Sequence, residues 1–156
     1  MGMRLAKFDT LAIDSESNDL VVILKTEDED APLPIWVGNA EALSIAFALT
    51  KVKPQRPVTH DLMVSVLNGL ETKVLRVVVS ALVESTYYAL IYLQRGDELI
   101  VVDSRPSDAI AIAVRTGAAM LIQDDVPTLS PDENEPERKK FEQRLKKIDP
   151  KQLIGA

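Results

Sequence analysis

The feature that most constrains the fold of this 156-residue chain is an internal repeat with a shift of 67 residues. The shift aligns Glu41–Ala46 with Asp108–Ala113 and Ile35 with Val102. Chance similarity between segments rich in alanine and isoleucine is the alternative, but both halves also share the order strand, strand, strand, helix. We therefore expect an α+β fold, in which a duplicated β-β-β-α unit forms one mainly antiparallel, barrel-like sheet with helices packed on it.

The strands and helices of this fold are predicted from composition and periodicity. Six segments rich in apolar or aromatic residues and bounded by polar turns are predicted strands: Lys7–Ile13, Leu20–Lys25, Leu33–Val37, Lys73–Val83, Thr86–Leu93 and Glu98–Asp103. Helices are predicted over Ala40–Leu49, over His60–Leu70 and from Pro106 to Gly117. The last of them alternates small and large residues and would also suit a strand, but its alignment with the first helix favours a helix.

The second helix, which lies between the two repeats, has the clearest helical pattern in the chain. An apolar face is formed by Leu62, Met63, Val66, Leu67 and Leu70. Thr59 is a candidate N-cap, and Asn68-Gly69 supplies a stop.

Composition narrows the functional classes. The chain has no cysteine, so thiolate zinc sites, disulfides and cysteine nucleophiles are excluded. No signal peptide or membrane-spanning run is recognised, so we expect a cytoplasmic protein without a membrane partner. The net charge of −6 argues against unspecific clamping of nucleic acid, because that mode depends on many lysines and arginines.

Residues 127–156 differ from the domain predicted over residues 1–126. Pro127, Pro131 and Pro136 interrupt an acidic stretch, and Glu137–Ile148 then shows a basic, moderately amphipathic pattern. We interpret this segment as a docked or oligomer-bridging helix, with a dimer as the expected assembly. A basic arm that binds nucleic acid is the alternative interpretation.

Polar residues follow the strands at three places where a helix begins. At the first, Trp36 ends a strand and Glu41 enters a helix. The helix dipole alone favours an acid at Glu41, and packing alone explains a lone tryptophan. Metal binding by Glu41 and substrate binding by Trp36 are the functional interpretations.

The second place contains His60, the only histidine of the chain, and Asp61. A helix N-terminus suits an anion, and a histidine there can act as general acid or base, with Asp61 orienting it or holding a cation. Lys51, Lys53 and Arg56 precede this pair and are candidates for attracting substrate. The alternative is structural: Thr59 caps the helix, Asp61 complements its dipole and His60 makes an ordinary hydrogen bond.

The third place is Asp103-Ser104-Arg105-Pro106-Ser107-Asp108. Because Asp108 is the repeat counterpart of Glu41, these acids together with Asp103 could gather at one rim and hold Mg²⁺ or Mn²⁺. The structural alternative pairs Arg105 with Asp103 or Asp108 and uses Ser104 or Ser107 as a cap.

These motifs resemble one known family. The resemblance is carried by four ordered segments: Leu33–Gly38 with Glu41 and Ala42, Arg56–Leu62, Tyr87–Ala89 and Val102–Ile110. Over roughly residues 3–126 the chain is similar to the bifunctional nuclease domain family of bacteria and plants. The resemblance implies an α+β fold with a repeated unit, oligomerisation and nuclease activity on both RNA and DNA.

Two functional hypotheses follow. The first is a metal-assisted nuclease with His60, Asp61, Asp103 and Asp108 as catalytic residues and with Arg105 among those that bind substrate. The second is a non-catalytic regulatory or binding module for a small anionic ligand or a protein partner. The acidic charge, the single histidine and the 4% aromatic content favour the second hypothesis.

Overall fold

A meander of three antiparallel strands opens each half of the chain. In a computed structural model, which describes residues 2–129 and 135–155, the first half contains β1 (Met3–Asp14), β2 (Leu20–Thr26), β3 (Pro32–Val37) and α1 (Asn39–Thr50). After α2 (Thr59–Gly69), the second half contains β4 (Thr72–Val83), β5 (Thr86–Arg95), β6 (Glu98–Ser104) and α3 (Pro106–Thr116). The predicted repeat of three strands and a helix is confirmed.

The two meanders share one sheet, in the order β3-β2-β1-β7-β4-β5-β6. The strand β7 (Ala119–Gln123) lies between them, antiparallel to β1 and parallel to β4. Sequence analysis did not predict this strand, because its five residues directly follow the turn at Gly117 and lack an alternating pattern. Within the described residues the sheet is open, with β3 and β6 at its edges. It is mainly antiparallel, as predicted, but not barrel-like.

The helices α1 and α3 cover the sheet over two apolar clusters. Large, fully buried side chains of the first cluster come from both halves of the chain: Leu11, Leu24, Leu33, Ile45, Ile110 and Ile122. In α3 every residue of Ala109–Ala113 is buried, which explains why this stretch contains only small and large apolar residues. Burial of each leucine or isoleucine contributes about 1.5–3 kcal/mol, so α3 is central to stability.

The helix α2 packs differently from its sequence pattern. Its buried residue is His60, whereas Leu62, Met63, Val66 and Leu70 on the predicted apolar face are exposed. Thr59 is not the N-cap: Val58 takes that position, and Asp61 Oδ2 accepts its backbone N–H at 3.0 Å. An acid at the third helical position therefore replaces the predicted hydroxyl cap.

The C-terminal segment contains α4 (Glu135–Arg144), β8 (Leu145–Ile148) and α5 (Lys151–Ile154). The helix predicted over Glu137–Ile148 was wrong in its last four residues, which pair as a strand with Leu11–Asp14. This part of β1 is accessible to β8 because β7 covers only Met3–Ala6. Pro131, part of the predicted connection, lies outside the described residues.

Arg144 fixes the C-terminal segment to the sheet. Its Nε and Nη2 donate to Oδ1 and Oδ2 of the fully buried Asp14, both at 2.6 Å. Leu153 and Ile154 of α5 pack against the first apolar cluster. Among the residues described, no helix is long and apolar enough to cross a membrane.

Candidate functional site

The first turns of α1 and α3 meet through one arginine. Arg105 occupies the N-cap of α3, and its Nη2 lies 3.0 Å from Oε1 of Glu41 in the first turn of α1. The same guanidinium donates to Asp108 from Nε at 2.8 Å and from Nη2 at 3.2 Å. The repeat thus brings Glu41 and Asp108 together, as predicted, and the predicted pair between Arg105 and Asp108 is confirmed. No side chain caps α3 at its N-cap, so the predicted cap by Ser104 or Ser107 was wrong.

His60 connects Asp108 to the interior of the protein. Its Nε2 lies 2.8 Å from Asp108 Oδ1, and its Nδ1 lies 2.6 Å from Ser44 Oγ. Both ring nitrogens contact protein partners, and the residue is only 6% exposed, so the ring is largely shielded from water. A histidine held at both nitrogens has a defined ring orientation, which a solvent-exposed histidine lacks.

Arg115 orients the hydrogen bonds between Ser44 and His60. Its Nη2 donates to both Oγ and the backbone oxygen of Ser44, each at 3.0 Å, and its Nε donates to Asp61 Oδ1 at 2.7 Å. An arginine can only donate, so Arg115 occupies one lone pair of the Ser44 oxygen and leaves the hydroxyl hydrogen available to Nδ1 of His60. In that arrangement Nε2 of His60 donates to Asp108 Oδ1.

The pKa of Asp108 reflects two opposing effects. Burial alone would raise the pKa of this carboxyl, but hydrogen bonds from Arg105 and His60, together with the charge of Arg105, bring it below its usual value. Hydrogen bonding to Asp108 in turn raises the pKa of Arg105. The hydrogen bond from Arg115 likewise lowers the pKa of Asp61. Both acids are therefore ionised at neutral pH.

Two cavities adjoin at Glu41 and Arg105. The first encloses about 350 Å³ beside His60 and Asp108, with Ser44, Phe47 and Thr59 in its wall. We call it the His60 pocket. The second encloses about 580 Å³ and includes Trp36 and Tyr87 in its wall. We call it the Trp36 cleft, and Glu41 and Arg105 belong to both linings.

Several predicted site residues lie elsewhere. Asp103 is exposed on β6 opposite Leu90 and contributes to neither cavity. Asp61 faces Arg115 and lines a separate cleft of about 540 Å³ together with Lys51 and Lys53. Arg56 is exposed and lines neither the His60 pocket nor the Trp36 cleft. Of the predicted catalytic set, the structure brings only His60 and Asp108 into one pocket.

The predicted metal ligands do not form a metal-binding set. Asp103 is separated from the pocket, and the carboxylates of Glu41 and Asp108 already share the cation of Arg105. Within residues 2–129 and 135–155 there is no group of three or more histidine, aspartate or glutamate side chains placed to hold a metal ion. The donors present therefore do not fit a resident Mg²⁺ or Mn²⁺, and we derive no chemistry from one.

Sequence analysis missed Ser44 and Arg115. Ser44 is the hydroxyl within the apolar stretch of α1, and Arg115 is the charged residue at the end of the otherwise apolar α3. A polar residue inside a buried helical stretch needs a hydrogen-bonding partner, and this signal was available. The identity of the partners was not, because they lie 54 and 71 residues apart along the chain.

Fold and site together define an α+β domain whose duplicated halves place their two helix N-termini around one pocket. The family model of the bifunctional nuclease domain matches residues 22–130, so the chain belongs to this family, as its motifs predicted.

Individual relatives extend this comparison. An uncharacterized protein of Mycobacterium tuberculosis is 35% identical over 131 residues, which cover 81% of this chain and 78% of the relative. Bifunctional nuclease 2 of Arabidopsis thaliana is 35% identical over 98 residues, and bifunctional nuclease 1 of Oryza sativa subsp. indica is 32% identical over 98 residues. Each plant match covers 60% of this chain but only 30% of the plant protein.

Proposed function

We propose that this chain is a nuclease that hydrolyses phosphodiester bonds of RNA and DNA in the His60 pocket. Membership of the bifunctional nuclease domain family supports the reaction class. The observation that carries the site is the convergence of Glu41, His60, Arg105 and Asp108, which come from three helix N-termini, around one cavity.

Arg105 is the phosphate-binding residue in this proposal. Its side chain is 66% exposed, although it contacts two carboxylates. Exposed ion pairs contribute little, about 0–1 kcal/mol, so a phosphodiester can compete for the guanidinium at small cost. Arginine suits this role because its planar fork binds two oxygens of a phosphate at once.

Asp108 is the general base. When Arg105 turns to a phosphate, Asp108 loses the hydrogen bonds and the charge of Arg105, which help to lower its pKa, and keeps the hydrogen bond from His60. The effect of burial then weighs more, and the carboxylate becomes more basic. The carboxylate then takes a proton from a water molecule as the water oxygen attacks phosphorus. The bond to the leaving oxygen breaks, and solvent protonates that oxygen. His60 acts as a positioning residue, because its Nε2–H fixes Oδ1 while Ser44 holds the other side of the ring.

The test is cleavage of labelled single-stranded RNA and DNA by highly purified protein, with Mg²⁺, with Mn²⁺ and with EDTA. We expect Asp108→Asn and Arg105→Gln to lower the rate at least about a hundredfold, as removal of a general base or a charge-stabilising group does. The matched control is Asp103→Asn, the same substitution on the exposed face of β6, which should retain activity. The metal arms test whether an added divalent ion, which we proposed from the sequence, is required.

Cleavage that survives in Asp108→Asn and is lost in Asp103→Asn would refute the site. Absence of cleavage in every arm, together with a melting temperature raised by pyrophosphate or a nucleotide, would replace the nuclease by the non-catalytic binding module. In that case Arg105→Gln should abolish the rise in melting temperature.

We also propose that the chain forms a dimer through α2. Leu62, Val66 and Leu70 follow one another at single-turn spacing and are 57%, 50% and 51% exposed. Exposed apolar residues in one stripe are typical of interaction surfaces. A second copy could cover this stripe with its own, since a two-fold interface uses the same patch on both subunits.

A further inference from the structure

The Trp36 cleft has no role in the chemistry described so far, yet it opens at the same guanidinium. Its lining shares Arg105 and Glu41 with the His60 pocket and extends away from them to Trp36 and Tyr87. A volume of about 580 Å³ is within the range of cavities that bind small organic molecules. A group bound there would lie directly beside a phosphate held by Arg105.

The aromatic wall of this cleft is held in a fixed orientation. Trp36 is 40% exposed, but its Nε1 donates to Asp14 Oδ2 at 3.1 Å. Phe141 contacts the same indole edge-on, with ring centroids 6.1 Å apart and an angle of 70° between the planes. Asp14 is itself held by two hydrogen bonds from Arg144. An indole that is fixed before the ligand arrives loses little freedom on binding.

The rest of the lining also suits a flat, amphipathic ring. Leu82 and Pro106 supply apolar surface, and Ser85, Thr86 and Ser107 supply hydroxyl groups that can bind the polar edge of a heterocycle. Aromatic side chains beside an arginine are the usual means by which proteins bind unpaired nucleobases.

We propose that the Trp36 cleft binds the nucleobase adjacent to the scissile phosphate, and that the substrate is therefore a single strand. A base within a duplex is stacked on both faces and paired at its edge, so it reaches such a cleft only after it leaves the helix. This inference rests on the proposed function, because it assumes that Arg105 holds the phosphate. It adds a substrate class and a specificity subsite to that function.

Trp36 is the only tryptophan of the chain, so its fluorescence reports directly on the cleft. We would titrate wild-type protein with a nucleoside monophosphate and with ribose 5-phosphate, which has the same sugar and phosphate but no base. Stacking predicts quenching by the nucleotide alone. Equal quenching by both compounds, or by neither, would overturn the subsite, whatever the protein does to nucleic acids.

Cleavage kinetics provide the second readout. Trp36→Leu should raise KM for a single-stranded oligonucleotide roughly 5- to 150-fold with little change in kcat, as loss of one stacking contact predicts. Trp36→Phe keeps an aromatic ring and should therefore bind the oligonucleotide more tightly than Trp36→Leu. If the raised KM came from misfolding alone, the aromatic substitution would not restore affinity. The matched control is Tyr88→Leu, since Tyr88 is 44% exposed on β5 and lies outside the cleft lining.

The outcomes separate this inference from the proposed function. Cleavage without base-dependent quenching and with an unchanged KM in Trp36→Leu would refute the subsite and leave the nuclease intact. Base-dependent quenching without cleavage would support the subsite and refute the nuclease. Faster cleavage of a duplex than of either of its separated strands would refute the single-strand substrate.

Discussion

Arg115→Met tests how much the hydrogen bonds behind His60 contribute to the free energy of unfolding. The Arg115 side chain is 8% exposed and donates to Asp61, to the Ala111 carbonyl and twice to Ser44. Breaking a buried charge pair by removing one partner costs about 3–5 kcal/mol. Asp61 is 33% exposed, so water compensates part of this loss, and we expect the free energy of unfolding to fall by about 2–3 kcal/mol.

Urea unfolding followed by circular dichroism measures this change as a lower midpoint with an unchanged m-value. Arg95→Met, a substitution of an exposed arginine on β5, is the control and should alter stability by no more than about 0.5 kcal/mol. A double-mutant cycle with Asp61→Asn should give a coupling of about 1–2 kcal/mol. A coupling of zero would show that the pair of Asp61 and Arg115 does not stabilise the fold.

The pH dependence gives an independent check on the same pair. Arg115 lowers the pKa of Asp61, so its stabilisation is complete above the usual aspartate pKa of about 3.9 and is lost as pH falls through the lowered value. Arg115→Met should therefore lose less stability than the wild type between neutral and acidic pH. Parallel pH curves for the two proteins would refute the reasoning.

Three further perturbations test other parts of the molecule. A Cβ at residue 38 would lie 2.5 Å from Oε2 of Glu41, so Gly38→Ala should displace the Glu41 side chain and slow cleavage. The backbone φ of −75° suits alanine, so the melting temperature should not fall. Leu62→Glu combined with Val66→Glu should convert a dimer into a monomer in light scattering; a wild-type monomer would refute the interface. Asp14→Asn should shift Trp36 emission to longer wavelength, because the bond between Asp14 and Arg144 fixes the segment that contacts the indole; an unchanged spectrum would contradict this role.

The sequence predicted the architecture where secondary structure depends on local composition and on the repeat. The meanders contain β-branched runs, and α3 could be distinguished from a strand because it aligns with α1. The exposed face of α2 and the strand Leu145–Ile148 could not be predicted, because both depend on which surfaces of the sheet are already covered. In α2 the spacing of the apolar residues correctly predicts a helix, but the packing of the rest of the protein leaves those residues exposed.

For the site, the sequence predicted the residues of the helix first turns but not the network behind them. Glu41 and Asp108 follow from the repeat, and His60 follows from its place at a helix start. Asp103 was wrongly grouped with them because it is close in sequence, yet it belongs to β6, whereas Arg105 and Asp108 belong to the start of α3. Two residues along the chain are enough to separate a strand side chain from the helix terminus that follows it.

The repeat also explains how two arginines of the second half, Arg105 and Arg115, join the two halves. Gly38 and Arg105 are equivalent positions and both are N-caps, so only the second copy has a side chain there, and it bonds the first-turn acids of both copies. Ser44 and Ala111 are equivalent as well, and Arg115 donates to the backbone oxygens of both. In each case an arginine that is present in only one copy of the repeat donates to acceptors at equivalent positions of both copies. A single chain can modify its two copies independently, so the duplicated unit gains an arginine in one half while the other half keeps the matching acceptor.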